Sequence, residues 1–277
     1  MAVQTRQFRK PLTPHRRTWN TLLLALLALP LLVFLTLPLL ALLIRTGLGT
    51  LVQNVAQTQV LQAVTLSLTT SVIATLLVIV LGTPLAYLLA RHEFRGKVVL
   101  ETLIDLPMVL PPAVAGVALL MTFGRRGIVG EHLSGLGLEL AFTQAAVVLA
   151  QMFVAAPFFV KSGIAGFTRV EREAEEAAQI DGADGWTVFW RITLPLTWPA
   201  LFGGAIMTWA RALGEFGATI IFAGNFPGRT QTMPLAIYIG FELELGTALT
   251  LSIILLVASF GVLALVKGLM RQRIGNV

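Results

Sequence analysis

Arg211 and Glu215 stand four residues apart inside the apolar stretch 199–223, the spacing that sets two side chains on one helix face. Ionisable groups at such depth are costly unless paired or wetted, and two chemistries are open to them. The pair is either an internal salt bridge that holds packing, or it leaves a guanidinium facing a polar path, where a permanently charged fork suits an anion. A contact of the second kind is weak, because a path must release what it admits. Ala210, Gly214 and Ala218 form a neighbouring small-residue stripe that permits close helix approach.

A second constellation is Asp105-Leu-Pro107-Met-Val-Leu-Pro111-Pro112-Ala-Val-Ala-Gly116. Each proline removes a backbone donor and bends or breaks a helix. In lipid the freed carbonyls must be met by neighbouring helices or by water in a cavity. The segment is therefore expected to be bent and to face protein or a path, as a structural kink or as a wall or hinge. Other chemistry is poorly supplied. His15, His92 and His132 are scattered, and there is no H-E-x-x-H, no recognisable Ser or Asp dyad and no G-x-x-x-x-G-K-[ST] phosphate loop. The absence of cysteine excludes disulfides, thiolate metal sites and a Cys nucleophile. Glu101 and Asp105 near the cytoplasmic start of the third apolar stretch, and Glu242 and Glu244 near the outer side, fit loops better than a proton relay.

The third constellation is a polar, helix-forming island, Glu176-Ala-Ala-Gln-Ile-Asp-Gly182-Ala-Asp-Gly-Trp-Thr-Val-Phe-Trp-Arg-Ile192-Thr-Leu194-Pro195. Upstream, Thr168-Arg-Val-Glu171 has capping-box spacing, which predicts a helix from about Arg169 capped by Thr168 and carrying Glu171, Glu173, Glu175 and Glu176. Gly182 can end that helix with a positive φ. Asp184 can cap a second short helix with Trp186, Phe189 and Trp190 on one face, ending at Leu194-Pro195 before the next span begins near Pro199. Two short helices at a sharp angle make a knob that could transmit a push to the adjoining spans. The same residues also fit an amphipathic helix resting its aromatics on lipid headgroups.

These residues must be positioned by membrane-spanning helices. The 277 residues are 56% hydrophobic and only 12% charged, with mean hydropathy +0.83, outside the balance of a soluble domain. A hydrocarbon core of roughly 30 Å needs about 20 apolar residues per helix. Six such stretches are readable, at about 20–44, 61–90, 99–123, 141–163, 199–223 and 247–267, giving an all-α polytopic membrane protein with no room for a soluble domain. The first stretch is too long for a signal peptide and no small-residue cleavage site follows it, so Arg16-Arg17 reads as a topology anchor of a retained helix. Of the 20 lysines and arginines, all but Arg45, Arg125, Arg126, Arg229 and the intramembrane Arg211 fall on one side of the six spans. That side is cytoplasmic by the positive-inside rule, and it holds both termini and the Glu176 loop. The same asymmetry accounts for the net charge of +6 without nucleic-acid binding.

The island's pattern, E-A-A, three residues, G, nine residues, I-x-L-P, is similar to the cytoplasmic coupling loop of ABC importer permeases. The Leu103–Gly116 block and Ala210-Arg211-Ala-Leu-Gly214-Glu215-Phe-Gly217-Ala-Thr219 resemble blocks shared by molybdate and sulfate permeases. Ala223-Gly-Asn225-Phe-Pro227-Gly228-Arg-Thr230-Gln-Thr232-Met-Pro234-Leu-Ala-Ile-Tyr238 is more similar to the molybdate/tungstate branch. Together these cover most of Leu100 to Lys267, and the first 60 residues resemble nothing specific beyond a first span. The resemblance implies a type I ABC importer permease in a prokaryotic plasma (inner) membrane. Its transmembrane domain would occupy residues 20–270, with a coupling loop at 168–196, between a cytoplasmic segment 1–19 and a tail 271–277. Glu176, Ala177, Ala178, Gly182, Trp186, Ile192, Leu194 and Pro195 would couple to the ATPase. Asp105, Pro107, Pro111, Pro112, Arg211, Gly214 and Glu215 are the candidates for path and gate. The implied partners are a second copy of this chain, two ATPase subunits carrying ATP and Mg, an extracytoplasmic oxyanion-binding protein and membrane lipid. The chain itself would hold no cofactor or metal and perform no catalysis. Sulfate or thiosulfate is the alternative solute, and an ion-coupled secondary transporter the alternative class.

Overall fold

A computed structural model describes residues 15–274, and every regular element among them is a helix. The basic Arg6, Arg9 and Lys10 of the expected N-terminal segment, and the last residues of the expected tail, lie outside the described residues. The chain divides into two units, residues 1–47 and 48–277. The first contains α1 (His15–Arg45), a leucine-rich helix with apolar side chains all round and Pro30 and Pro38 inside it. Thr36 donates its hydroxyl to the Leu32 carbonyl at 2.8 Å, satisfying a polar group within the helix itself.

The second unit is built from α2 (Leu48–Val55), α3 (Thr58–Arg91), α4 (Lys97–Val109), α5 (Pro112–Phe123), α6 (Gly130–Gly135), α7 (Gln144–Thr168), α8 (Arg172–Ile180) and α9 (Gly185–Val188). A π-helical turn (Phe189–Thr193) leads into α10 (Leu194–Leu213), followed by α11 (Gly217–Phe222), α12 (Met233–Leu243) and α13 (Leu245–Ile274).

Among the described residues, four helices are long and apolar enough to cross a membrane: Thr21–Arg45, Thr58–Arg91, Gln144–Thr168 and Leu245–Ala264. The pair α4–α5 brings the number to five if it is one span, but it is bent by 118°. The expected six spans are therefore not all present as continuous helices. The prolines explain the third: Leu110 and Pro111 both take extended ψ angles, 136° and 132°, as residues preceding proline do. Pro112 then starts α5 at a position where its missing N–H costs nothing. The fifth expected span, 199–223, divides at Gly214–Phe216 into α10 and α11.

Helix α7 packs on both α3 and α10. Val78, Ala86 and Leu89 of α3 meet Phe159, Val160 and Phe167 of α7 and Leu201 of α10 in one buried cluster. A second joins Ala115 and Leu119 of α5 to Val147, Ala150 and Val154 of α7 and Phe222 of α11. A third joins Val60 and Ala63 of α3 to Leu213, Met233, Ala236 and Leu251. Hydroxyls tie the helices across these contacts. Ser162 donates to the Ala200 carbonyl at 2.7 Å, and the Met233 N–H donates to the Ser67 hydroxyl at 2.7 Å.

The α7–α10 approach depends on Gly204, where a Cβ would fall 2.7 Å from that of Ser162 and 3.4 Å from the Phe159 Cα. A larger side chain must push the two helices apart. Gly204→Val should destabilise the unit by about 1–3 kcal/mol, the usual cost of overpacking, read as a lowered unfolding midpoint in mild detergent.

Candidate functional site

Helix α8 and helix α9 form the expected knob, joined by a Gly182 turn of φ +91°. The Ala183 N–H reaches the Ala178 carbonyl at 2.9 Å and the Gly182 N–H reaches Gln179 at 3.0 Å, the paired bonds of a Schellman C-cap. The sharp turn is thus a local consequence of one glycine. Asp184 caps α9 as expected, its Oδ1 accepting from the Thr187 N–H at 3.0 Å. The Thr187 hydroxyl and then its backbone N–H hold the exposed Asp184 carboxyl below its ordinary value of 3.8.

Two boundaries differ from expectation. Thr168 does not cap α8; it closes α7 and gives its hydroxyl to the Ile164 carbonyl at 2.8 Å. Burial of Phe167 against α3 and α10 carries α7 through that position, and α8 begins at Arg172 after Glu171, which makes no side-chain cap bond. Nor does Leu194-Pro195 end the second helix. The π turn, in which the Leu194 N–H bonds the Phe189 carbonyl, accommodates Pro195 in the first turn of α10. The result is an uninterrupted rod from Gly185 to Leu213, roughly 40 Å long at about 1.5 Å per residue.

The aromatic face divides into two roles. Phe189 turns inward, its ring 5.1 Å from Tyr87 of α3 and 6.4 Å from Phe167 of α7. Trp186 and Trp190 stay exposed beside it, with rings 5.6 Å apart. Of the expected coupling residues, Glu176, Ala177, Gly182, Trp186 and Pro195 are exposed, while Ala178, Ile192 and Leu194 are half-buried.

The neighbouring Glu175, not singled out by the sequence, is the carboxylate that binds the knob to the rest of the unit. It accepts from Arg91 Nη2 at 2.6 Å and from the Thr193 hydroxyl at 2.6 Å, while Arg91 Nη1 donates to the Val170 carbonyl at 3.1 Å. Nothing along the chain marks it, because Arg91 reads as one more basic loop residue beside Arg95 and Lys97 and lies 84 positions away.

Five of the seven path candidates, Pro111, Pro112, Arg211, Gly214 and Glu215, gather at two helix breaks. Arg211 Nη1 meets Glu215 Oε2 at 2.7 Å, as their spacing predicts, but Glu215 lies past the end of α10. Its other oxygen, Oε1, accepts from the Ala218 N–H at 2.8 Å in the first turn of α11. One carboxylate thus closes the ion pair and satisfies a donor freed by the break. Glu215 is 1% exposed and Arg211 29%. The small-residue stripe Ala210, Gly214, Ala218 is not formed, since Gly214 is the C-cap of α10 and Ala218 belongs to α11.

The two breaks touch. A Cβ on Gly217 would fall 2.6 Å from the Pro112 Cβ, so the α5 and α11 starts meet directly. The structure therefore joins the segment of Pro111 and Pro112 to that of Arg211, Gly214 and Glu215. Asp105 and Pro107 lie on the other arm of the bend, in α4, where Asp105 Oδ2 pairs with Lys161 Nζ of α7 at 2.8 Å.

Residues 82–271 match the family model described as binding-protein-dependent transport system inner membrane component. The chain is 46% identical over 180 residues, 64% of its length and 67% of the other, to the molybdenum transport system permease protein ModB of Mycobacterium tuberculosis (strain ATCC 25618 / H37Rv). It is 38% identical over 197 residues, 70% and 68% of the two chains, to the sulfate transport system permease protein CysW of Synechococcus elongatus (strain ATCC 33912 / PCC 7942 / FACHB-805). Its fold is similar, with a TM-score of 0.73 at 18% identity, to a chain in the crystal structure of a bacterial ABC transporter involved in the import of the acidic polysaccharide alginate, over 93% of this chain and 96% of that one.

Arg211→Ala leaves a buried, unpaired carboxylate and should destabilise the unit by about 3–5 kcal/mol. Adding Glu215→Gln should recover most of that, because the amide oxygen still accepts from Ala218; adding Glu215→Ala should recover less. Unfolding in detergent ranks the three. At Asp184 the depressed folded pKa means that the cap's contribution is present above 3.8 and is lost as pH falls through the folded value. Protection of the Thr187 amide should therefore differ from that in Asp184→Asn above 3.8 and approach it as pH falls through the folded value, read by hydrogen exchange at matched pH.

Proposed function

This chain belongs to the family of binding-protein-dependent transport system inner membrane components, and on that footing we propose that it is the membrane-spanning permease subunit of an ABC importer for molybdate or tungstate. The observation that carries the reading is the knob. Its exposed Glu176-Ala177 edge faces outward on α8, and its second helix runs without interruption into α10, which ends at Arg211 and the paired breaks.

In this reading Glu176, Ala177, Ala178, Gly182 and Trp186 present the surface that an ATPase subunit grips, while Ile192, Leu194 and Pro195 join that surface to the rod. Two ATPase subunits, each with ATP and Mg, close and push the knobs of two copies of this chain. The rods carry the displacement to the Gly214–Phe216 and Leu110–Pro112 breaks, where helix halves can swing against each other between inward-open and outward-open states. Arg211 is held by Glu215 and only part-exposed, so it gives a passing dianion a weak attraction rather than a tight site. Selection of the solute then rests with an extracytoplasmic binding protein. In this reading both termini and the knob lie on the cytoplasmic side, the side that the excess of basic residues favours.

The higher identity to the molybdenum permease supports molybdate or tungstate, and the sulfate permease relative supports sulfate as the second reading. ATP-dependent uptake into proteoliposomes holding this chain, its ATPase and loaded binding protein separates them. Uptake of molybdate or tungstate that resists excess sulfate is the expected result, and uptake dominated by sulfate overturns the solute assignment.

The knob has its own test. Gly182→Asp forces a side chain into a φ of +91° with no neighbour within 4 Å to clash, so the damage stays local. It should detach or uncouple the ATPase while the membrane unit remains folded, as should Glu176→Lys. Unchanged co-purification together with unchanged uptake would remove the coupling role.

A further inference from the structure

We propose that Glu175, Arg91 and Thr193 form a latch that makes the knob drive α3 as well as α10, with Glu175 as the positioning residue. The proposal rests on the ATPase-coupled reading above.

Helix α8 has nine residues and none of them is buried, so neither its length nor an apolar face holds it in place. The Gly182 turn joins it to α9, and Glu175 ties it to the rest of the unit. The carboxylate gathers donors from two other segments, Arg91 at the last turn of α3 and Thr193 in the π turn, and Arg91 in turn holds the Val170 carbonyl between α7 and α8. The ion pair is largely shielded, with Arg91 9% and Glu175 15% exposed. Charge-assisted bonds of this length in a screened setting are strong and directional.

Thr193 supports the assignment by where its hydroxyl goes. Thr70, Thr75 and Thr197 return theirs to a carbonyl four residues back in the same helix. Thr193, fully buried, gives its hydroxyl to Glu175 on another element instead. Consecutive residues of α8 thus divide the work: Glu176 is exposed for a partner, and Glu175 points back into the unit.

The consequence is a second route for force. Without the latch, the knob bears on α3 through packing alone, the Phe189 ring against Tyr87 and α10 against α3. With the latch closed, the same displacement pulls the end of α3, whose length is packed on α7 through Val78, Ala86 and Leu89. Opening the latch should therefore let ATP be hydrolysed with less movement of α3, and transport should fall more than hydrolysis.

The test uses the reconstituted complex of this chain, its ATPase and loaded binding protein, and reads oxyanion taken up per ATP hydrolysed. Glu175→Gln and Arg91→Gln should each assemble and hydrolyse ATP near the wild-type rate while uptake per ATP falls by about tenfold, within the usual range of coupling between sites. Thr193→Val, which keeps the ion pair, should lose about threefold on the same scale. The charge-exchanged pair Arg91→Glu with Glu175→Arg should regain part of the loss. Should either glutamine variant fail to assemble, Thr193→Val carries the test alone.

An unchanged ratio in the assembled variants overturns the latch. Hydrolysis and uptake falling together in proportion also overturns it, since a purely structural role predicts that result. Absence of ATP-driven uptake with the wild-type chain would instead remove the permease reading, and the latch with it.

Discussion

Helix α7 is packed against α3 on one side and α10 on the other, and the other elements of the second unit are arranged around that contact. In lipid, exclusion from water cannot drive one apolar helix onto another, so close approach and shared hydrogen bonds must do so. Gly204 allows α10 to settle against Ser162 and Phe159, and the Ser162 hydroxyl then reaches the Ala200 carbonyl at 2.7 Å. With that spacing set, Phe167 is buried between α3 and α10 and Phe189 can stack beneath it. The knob is thereby seated on the three packed helices rather than suspended from a loop.

The same economy of polar groups governs the helix breaks. A break inside an apolar layer exposes backbone donors and acceptors that nothing in hydrocarbon can satisfy. Glu215 meets one of them, the Ala218 N–H, and its negative charge lies at the start of α11 while Arg211 lies in the last turn of α10. Both charges are on the favourable end of their helix dipoles. The ion pair is thus part of what makes the break tolerable, and the contact of Pro112 with Gly217 places a second break beside it. Two pairs of helix halves therefore meet at one place.

Between knob and breaks runs a rod that the π turn keeps continuous past Pro195. On the proposed reading this gives a displacement at α8 a direct mechanical route to Arg211, and the Glu175 network gives it a branch to α3. Neither route requires a signal to pass through a flexible loop. The membrane unit can therefore respond as a few rigid pieces turning at defined joints.

The sequence by itself determined whatever depends on near neighbours along the chain. Composition required a polytopic helical protein, Pro111-Pro112 required a break, Gly182 required a left-handed turn and Asp184 supplied a cap. Each follows from the φ restriction of proline, the freedom of glycine or the reach of one short side chain. Even the meeting of Arg211 and Glu215 was readable, because four residues apart is a local distance. Apolar length alone overcounted the continuous spans, since a run such as 199–223 looks unbroken until Glu215 is seen closing a gap within it. Tertiary structure decided the rest: that α7 runs on through Thr168, that the two breaks face each other, and that Glu175 rather than Glu176 turns inward to Arg91. Those choices depend on which surfaces pack, and packing brings together residues 84 positions apart whose types carry no mark of one another.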